Sequence, residues 1–126
     1  METAPVLRVL LGDLAPIMAI GLRSVLEEEG IDVIGEENER ARIVQRAQRL
    51  QPDVVVLDLD RDGATTLAAE VRQAAPRAKV ILWARDETVM GVLESVSDTP
   101  RLVDMTTHDG LPQELSSGRR RDGLED

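Results

Sequence analysis

The sequence predicts one α/β domain: a doubly wound parallel sheet with helices on both faces. Two observations carry this. Short aliphatic runs at residues 6–11 and 54–59 are bounded by Gly, Pro or Asp, as in strands buried on both faces. Segments with apolar residues at helical spacing alternate with these runs and with three weaker strand candidates, an order that demands a parallel sheet with right-handed crossovers. Length agrees, since 126 residues fit a single core that buries about two-thirds of the unfolded surface.

The first strand is expected over residues 6–11. Pro16 then suits a first helical turn, and Met18, Gly21, Leu22 and Val25 repeat at helical spacing until Glu29-Gly30. A second strand follows over 31–35. The second helix, 38–51, puts Ile43, Val44, Ala47 and Leu50 on one face under an arginine-rich outer face, and Pro52 stops it. Residues 54–59 form the central strand, and a third helix runs over 65–75 ahead of Pro76. The fourth strand is expected over 79–84 and the fourth helix over 86–96, with Asp86 as its N-cap. A fifth strand is expected over 101–105. Beyond Met105 a polar stretch leaves room for about one helical turn, so a fifth helix is shortened or missing. Residues 1–115 are assigned to the domain and 116–126 to a polar tail or the start of a linker.

Composition narrows the function. The formal charge of −9 lies wholly in the body, because Arg119, Arg120 and Arg121 cancel Asp122, Glu125 and Asp126 in the tail. Such a body repels phosphate backbones and anionic lipid, so no direct nucleic-acid contact through this domain and no membrane contact are expected. No apolar stretch nears the ~20 residues of a membrane span, and no basic segment leads into an apolar run at the N-terminus; the expected location is cytoplasmic. Cysteine is absent, which removes thiolate ligands and cysteine nucleophiles. Tyr and Phe are absent too, so the core must be aliphatic throughout. Fourteen arginines against the one lysine, Lys79, match GC-rich coding.

Ligands of such sheets sit beyond the carboxyl ends of the strands, and Asp13 and Asp58 both fall there. Asp58 is the sharper case, an acid closing Val54-Val55-Val56-Leu57. Gly12 and Gly63 are isolated turn glycines that match neither dinucleotide nor P-loop spacing. His108 stands alone without a nucleophile or metal-ligand set, so no enzyme is expected.

The segments Leu10-Leu11-Gly12-Asp13-Leu14-Ala15-Pro16, Gly21-Leu22-Arg23-Ser24-Val25-Leu26-Glu27, Ile34-Gly35-Glu36 and Pro52-Asp53-Val54-Val55-Val56-Leu57-Asp58-Leu59 together resemble a bacterial response-regulator receiver. The similarity is to the LuxR/NarL-type subgroup that precedes LuxR-type DNA-binding domains. It spans roughly residues 6 to 105, with the first half the more specific. The resemblance implies a five-stranded flavodoxin-like (CheY-like) domain in which an aspartate ending the third strand, here Asp58, accepts a phosphoryl group. It also implies two adjacent acids after strand one that hold Mg²⁺, a Ser or Thr ending strand four, a Lys ending strand five, and an aromatic switch on strand five.

This chain departs from that set and is expected to be an atypical, or pseudo-, receiver. Asp13 matches the first acidic position but Leu14 occupies the second, so Mg²⁺ at Asp13 and Asp58 is expected to be weak or absent, with at most the backbone carbonyl of Asp60 added. No other cofactor is expected. Ala84 falls at the hydroxyl position, and Thr106 falls near the lysine position with no lysine after Lys79. Arg61 or Arg85 is expected to supply a substitute cation, and Arg85, directly after strand four, is the candidate to reach over the pocket. Asp13, Leu14, Asp60, Ala84 and Thr106 thus form a degenerate acidic pocket around a phosphoacceptor-equivalent, unmodified Asp58.

On helix four, Val89, Val92, Leu93 and Val96 face the sheet while Met90 widens the apolar arc to roughly 160° at 100° per residue. A shortened fifth helix leaves strand five under-covered, and exposed edges of that kind are paired or protected. Met90, Val92, Leu102 and Val103 are therefore interface candidates, and the resemblance implies dimerisation through helix four and strand five. The expected function is a phosphorylation-independent regulatory module acting as a homodimer or on a regulatory protein partner. The alternatives are a two-component phosphoacceptor using Asp58, or a small-molecule sensor using a crevice made apolar by Leu14 and Ala84.

Overall fold

The computed structural model describes residues 6–98. Strand five, Leu102, Val103, Thr106, His108 and the tail at 116–126 lie outside the described residues. Within them the order is β1 (Arg8–Gly12), α1 (Pro16–Glu28), β2 (Asp32–Glu37), α2 (Arg40–Leu50), β3 (Val54–Asp58), α3 (Ala64–Ala74), β4 (Lys79–Trp83) and α4 (Val89–Ser97). The strands form one parallel sheet in the order β2-β1-β3-β4. Alternation of strand and helix is as the sequence predicts; element ends differ by a few residues.

Every residue of β3 is buried, as a central parallel strand requires. Its alternation splits the core: Val54 and Val56 join Val9, Leu11, Leu22 and Leu26 on one face, Val55 and Leu57 join Leu10, Ile43, Leu67 and Val71 on the other. Each fully buried aliphatic side chain contributes about 1.5–3 kcal/mol. The lower end of the sheet is fastened by Asp53, whose buried carboxylate accepts the Arg8 backbone N–H at 2.9 Å. The Arg8 guanidinium then donates to the carbonyls of Leu50 and Gln51 at 2.8 and 3.0 Å, satisfying the end of α2.

α2 and α3 pack on one face, and α1 packs on the other, the arrangement one crossover hand requires for steps toward opposite edges. α4 lies with α1. Its Val92, Leu93 and Val96 fill the same cluster as α1's Ala19, Leu22 and Leu26. A helix leading by the same hand to a further parallel strand beyond β4 would instead lie with α2 and α3.

Two side chains of β4 fix this placement. Trp83 is buried among the α1-side residues and its indole Nε1 donates to the Glu87 carbonyl at 2.9 Å, drawing the loop over that face. Lys79 Nζ donates to the Ser95 carbonyl at 3.0 Å and holds the far end of the helix. Residues 79, 81 and 83 share a side of the strand by period two, so one face of β4 carries both tethers with Ile81 between them.

The predicted cap of this helix is corrected. Glu87 N–H bonds to the Ala84 carbonyl at 3.0 Å, so Asp86 lies inside a turn, and Thr88 is the N-cap, its hydroxyl accepting from Gly91 N–H at 2.9 Å. Val92 is corrected as well: it is fully buried in the α1-side core and offers no surface for an interface. Met90 is 56% exposed. The sequence reading missed Ile17 and Ile20 on α1, which are 78% and 67% exposed; their signal was an apolar pair off the stripe of Met18, Leu22 and Val25.

Candidate functional site

Asp13 and Asp58 meet at the carboxyl ends of β1 and β3. Asp58 closes the buried strand and is itself only 7% exposed. Its Oδ1 accepts the Asp60 N–H at 2.9 Å, and its carbonyl accepts the Arg61 N–H at 3.3 Å, so the chain turns sharply just after the strand. Asp13 has φ 56°, a left-handed conformation that Asp tolerates better than most side chains. Its N–H donates to the Glu37 carbonyl at 2.7 Å, which ties the β1–α1 loop to the end of β2.

Arg61 joins the two carboxylates. Its Nη2 is 3.4 Å from Asp13 Oδ1, its Nε is 3.9 Å from Asp58 Oδ2, and Nε also donates to the Asp13 carbonyl at 3.3 Å. Arg85 does not reach over the pocket, in contrast to the expectation. It is 83% exposed and lies beside Asp60, whose Oδ2 accepts the Arg85 N–H at 2.7 Å and stands 3.8 Å from Nε. The difference follows from chain geometry: Arg61 is carried back by the turn, whereas Arg85 leaves β4 in a loop that Trp83 pulls toward α4.

Leu14 is 3% exposed and belongs to the α1-side core, so the residue after Asp13 contributes packing rather than a ligand. Ala84 directly follows β4 and is half-buried, and Asp60 is exposed in the loop. Loop closure uses α2 as well: Arg40 donates to the Asp62 carbonyl, and Gly63, at φ 74°, provides the left-handed turn into α3.

The residues present do not fit the divalent metal that the resemblance implies. Asp13 and Asp58 give two carboxylates, the adjacent position is a buried leucine, and a guanidinium already faces both acids. Among the described residues no group of three or more His, Asp or Glu side chains is arranged to hold a metal ion. No helix among them is long and apolar enough to cross a membrane. Polar grooves occur away from this site, one of about 600 Å³ along α4 lined by Glu87, Glu94 and Asp98, and one of about 180 Å³ along α2 lined by Arg42, Arg46 and Arg49.

Comparison with known proteins places this arrangement. No protein-family profile matches the chain. A protein-glutamate methylesterase/protein-glutamine glutaminase of Myxococcus xanthus is 39% identical over 79 residues, covering 60% of this chain and 22% of that protein. Chemotaxis protein CheY of Bacillus subtilis is 30% identical over 78 residues, 60% of this chain and 64% of CheY. The nitrate/nitrite response regulator NarP of Escherichia coli is 30% identical over 107 residues, 82% of this chain and 46% of NarP. The chain thus spans less than two-thirds of the length of these relatives. Among solved structures, the receiver domain of NarL from Mycobacterium tuberculosis superposes with TM-score 0.60 at 23% identity, over 76% of this chain and 97% of that one. A receiver domain of a modulated diguanylate cyclase from Desulfovibrio desulfuricans, described as an example of alternate folding, gives TM-score 0.60 at 20% identity over 89% of this chain and 86% of that one. RcsB, seen as two dimers bound to two parallel DNAs, gives 0.58 at 20% identity over 73% of this chain and 50% of its own. With four parallel strands in one sheet among the described residues and aspartates at the ends of the first and third, this chain is homologous to CheY and the LuxR/NarL-type response regulators and has the fold of their receiver domains.

Proposed function

We propose that this receiver is a regulatory module of bacterial signal transduction and transcription control that works without phosphorylation of Asp58, by pairing with a second copy or a regulatory protein. The observation that carries this reading is Leu14, 3% exposed and packed in the core where an acidic metal ligand would stand. Phosphoryl transfer to a carboxylate relies on a cation that offsets charge on both reactants. Here the pocket offers two carboxylates joined by a guanidinium, and Ala84 contributes a methyl group after β4. Protein contact is supported by the apolar exposure of Ile17, Ile20 and Met90 on two helices of the same layer. The domain is read as non-enzymatic, a reading supported by a site that, among the described residues, brings together no nucleophile with a base.

A second reading keeps Asp58 as the phosphoacceptor of a two-component system. It is favoured by the position of Asp58 at the carboxyl end of β3 with Asp13 at the end of the neighbouring β1. Intact-mass measurement after incubation with acetyl phosphate and Mg²⁺ separates the two. The expected result is an unchanged mass for the wild type. A phosphoryl adduct that disappears in Asp58→Ala would establish the second reading in place of the first.

A further inference from the structure

We propose that the Arg61 guanidinium is the resident cation of the strand-end pocket and keeps divalent metal ions out of it. This deepens the reading of Asp58 as unphosphorylated and rests on it. Three oxygens from the ends of two neighbouring strands converge on the one group: the Asp13 carbonyl at 3.3 Å, the Asp13 carboxylate at 3.4 Å and the Asp58 carboxylate at 3.9 Å. Carboxylates and a backbone carbonyl are the donor types a hard divalent cation takes from protein. The two acids are nearly covered, their side chains 15% and 8% exposed, while that of Arg61 is 50% exposed. The guanidinium therefore caps the pocket from its solvent side. A metal ion seeking the same oxygens meets a positive charge a few ångströms away.

The cap is set by the local chain. The Asp58 carbonyl accepts the Arg61 N–H, and the Arg61 carbonyl accepts the Ala64 N–H at 3.1 Å, which brings the third residue after Asp58 back over the strand end. Arg40 holds the same loop from α2 through the Asp62 carbonyl. Of the two arginines beside the pocket, Arg61 faces Asp13 and Asp58 while Arg85 is turned to Asp60.

Thermal unfolding with Mg²⁺ as the probe tests the proposal on the wild type, R61Q and the double variant D13N/R61Q. Without metal, R61Q is expected to melt about 5 °C below wild type, because two covered carboxylates lose their counter-charge. Adding about 10 mM Mg²⁺ should restore most of that loss in R61Q and move the wild type by less than about 1 °C. D13N/R61Q, with one negative charge removed, should regain stability without metal and ignore Mg²⁺. Equal Mg²⁺ shifts in wild type and R61Q, or an R61Q protein that Mg²⁺ does not stabilise, would overturn the proposal. Should R61Q fail to fold in metal-free buffer, its refolding yield with and without Mg²⁺ replaces the melt, and equal yields count against it. The outcome is separable from the acetyl phosphate result. Mg²⁺ stabilisation of a wild type that takes no phosphoryl group overturns this proposal alone, whereas an adduct on Asp58 overturns the reading beneath it.

Discussion

At the scale of single residues, Asp58 was legible because an acid closing an aliphatic run has one place to go, the carboxyl end of a buried strand. Leu14 was legible as a departure from the receiver pattern, and its burial supplies the physical counterpart, a side chain that adds to the core. The partner of the acids was legible only as a choice between Arg61 and Arg85. Sequence distance does not decide such a choice; the turn after Asp58 does, since it carries Arg61 back and leaves Arg85 in another loop. Asp53, quoted at first only as part of the matching strand motif, turns out to anchor it. Its carboxylate is 5% exposed and accepts the Arg8 N–H. Asp53→Ala should therefore lower unfolding free energy by about 1–3 kcal/mol, measured by urea denaturation, through loss of a part-buried hydrogen bond that leaves the Arg8 N–H without this acceptor.

At the scale of elements, the helical and strand periods placed all eight described elements, and the errors concentrate at ends where two cap-type residues compete. Asp86 and Thr88 are both good N-caps by type. Thr88 wins because the Trp83 to Glu87 bond requires the loop to continue through residue 87 before the helix begins. α4 is short, nine residues, and helices of that length depend on packing and caps more than on propensity. Thr88→Ala should cost about 1 kcal/mol, and hydrogen exchange should show faster opening of α4 than of α1. A uniform loss of protection across both helices would argue that the cap acts on the whole domain.

At the scale of the whole molecule, the choice of face for α4 was not legible. An amphipathic stripe states that a helix will bury one side, and says nothing about which side of the sheet receives it. That decision came from β4, through the tethers at Lys79 and Trp83. With α4 in the α1 layer, exposed Met90 and the isoleucines Ile17 and Ile20 belong to one side of the domain. Met90→Asp is expected to leave folding stability within about 0.5 kcal/mol, as for other exposed positions, and to shift the species seen by analytical ultracentrifugation toward monomer. A wild type that sediments as a monomer and co-purifies with no partner would remove the pairing part of the proposed function.

Trp83 also gives the domain an optical gauge. With no Tyr and no Phe in the chain, near-ultraviolet emission comes from one indole, buried to 2% exposure and bonded to the loop that leads into α4. Its spectrum is a direct reading of whether that helix is seated. Release of α4 exposes the ring to water and moves the emission to longer wavelength, while events confined to the α2 and α3 side leave it still. No label has to be added to watch one face of this protein respond to a partner.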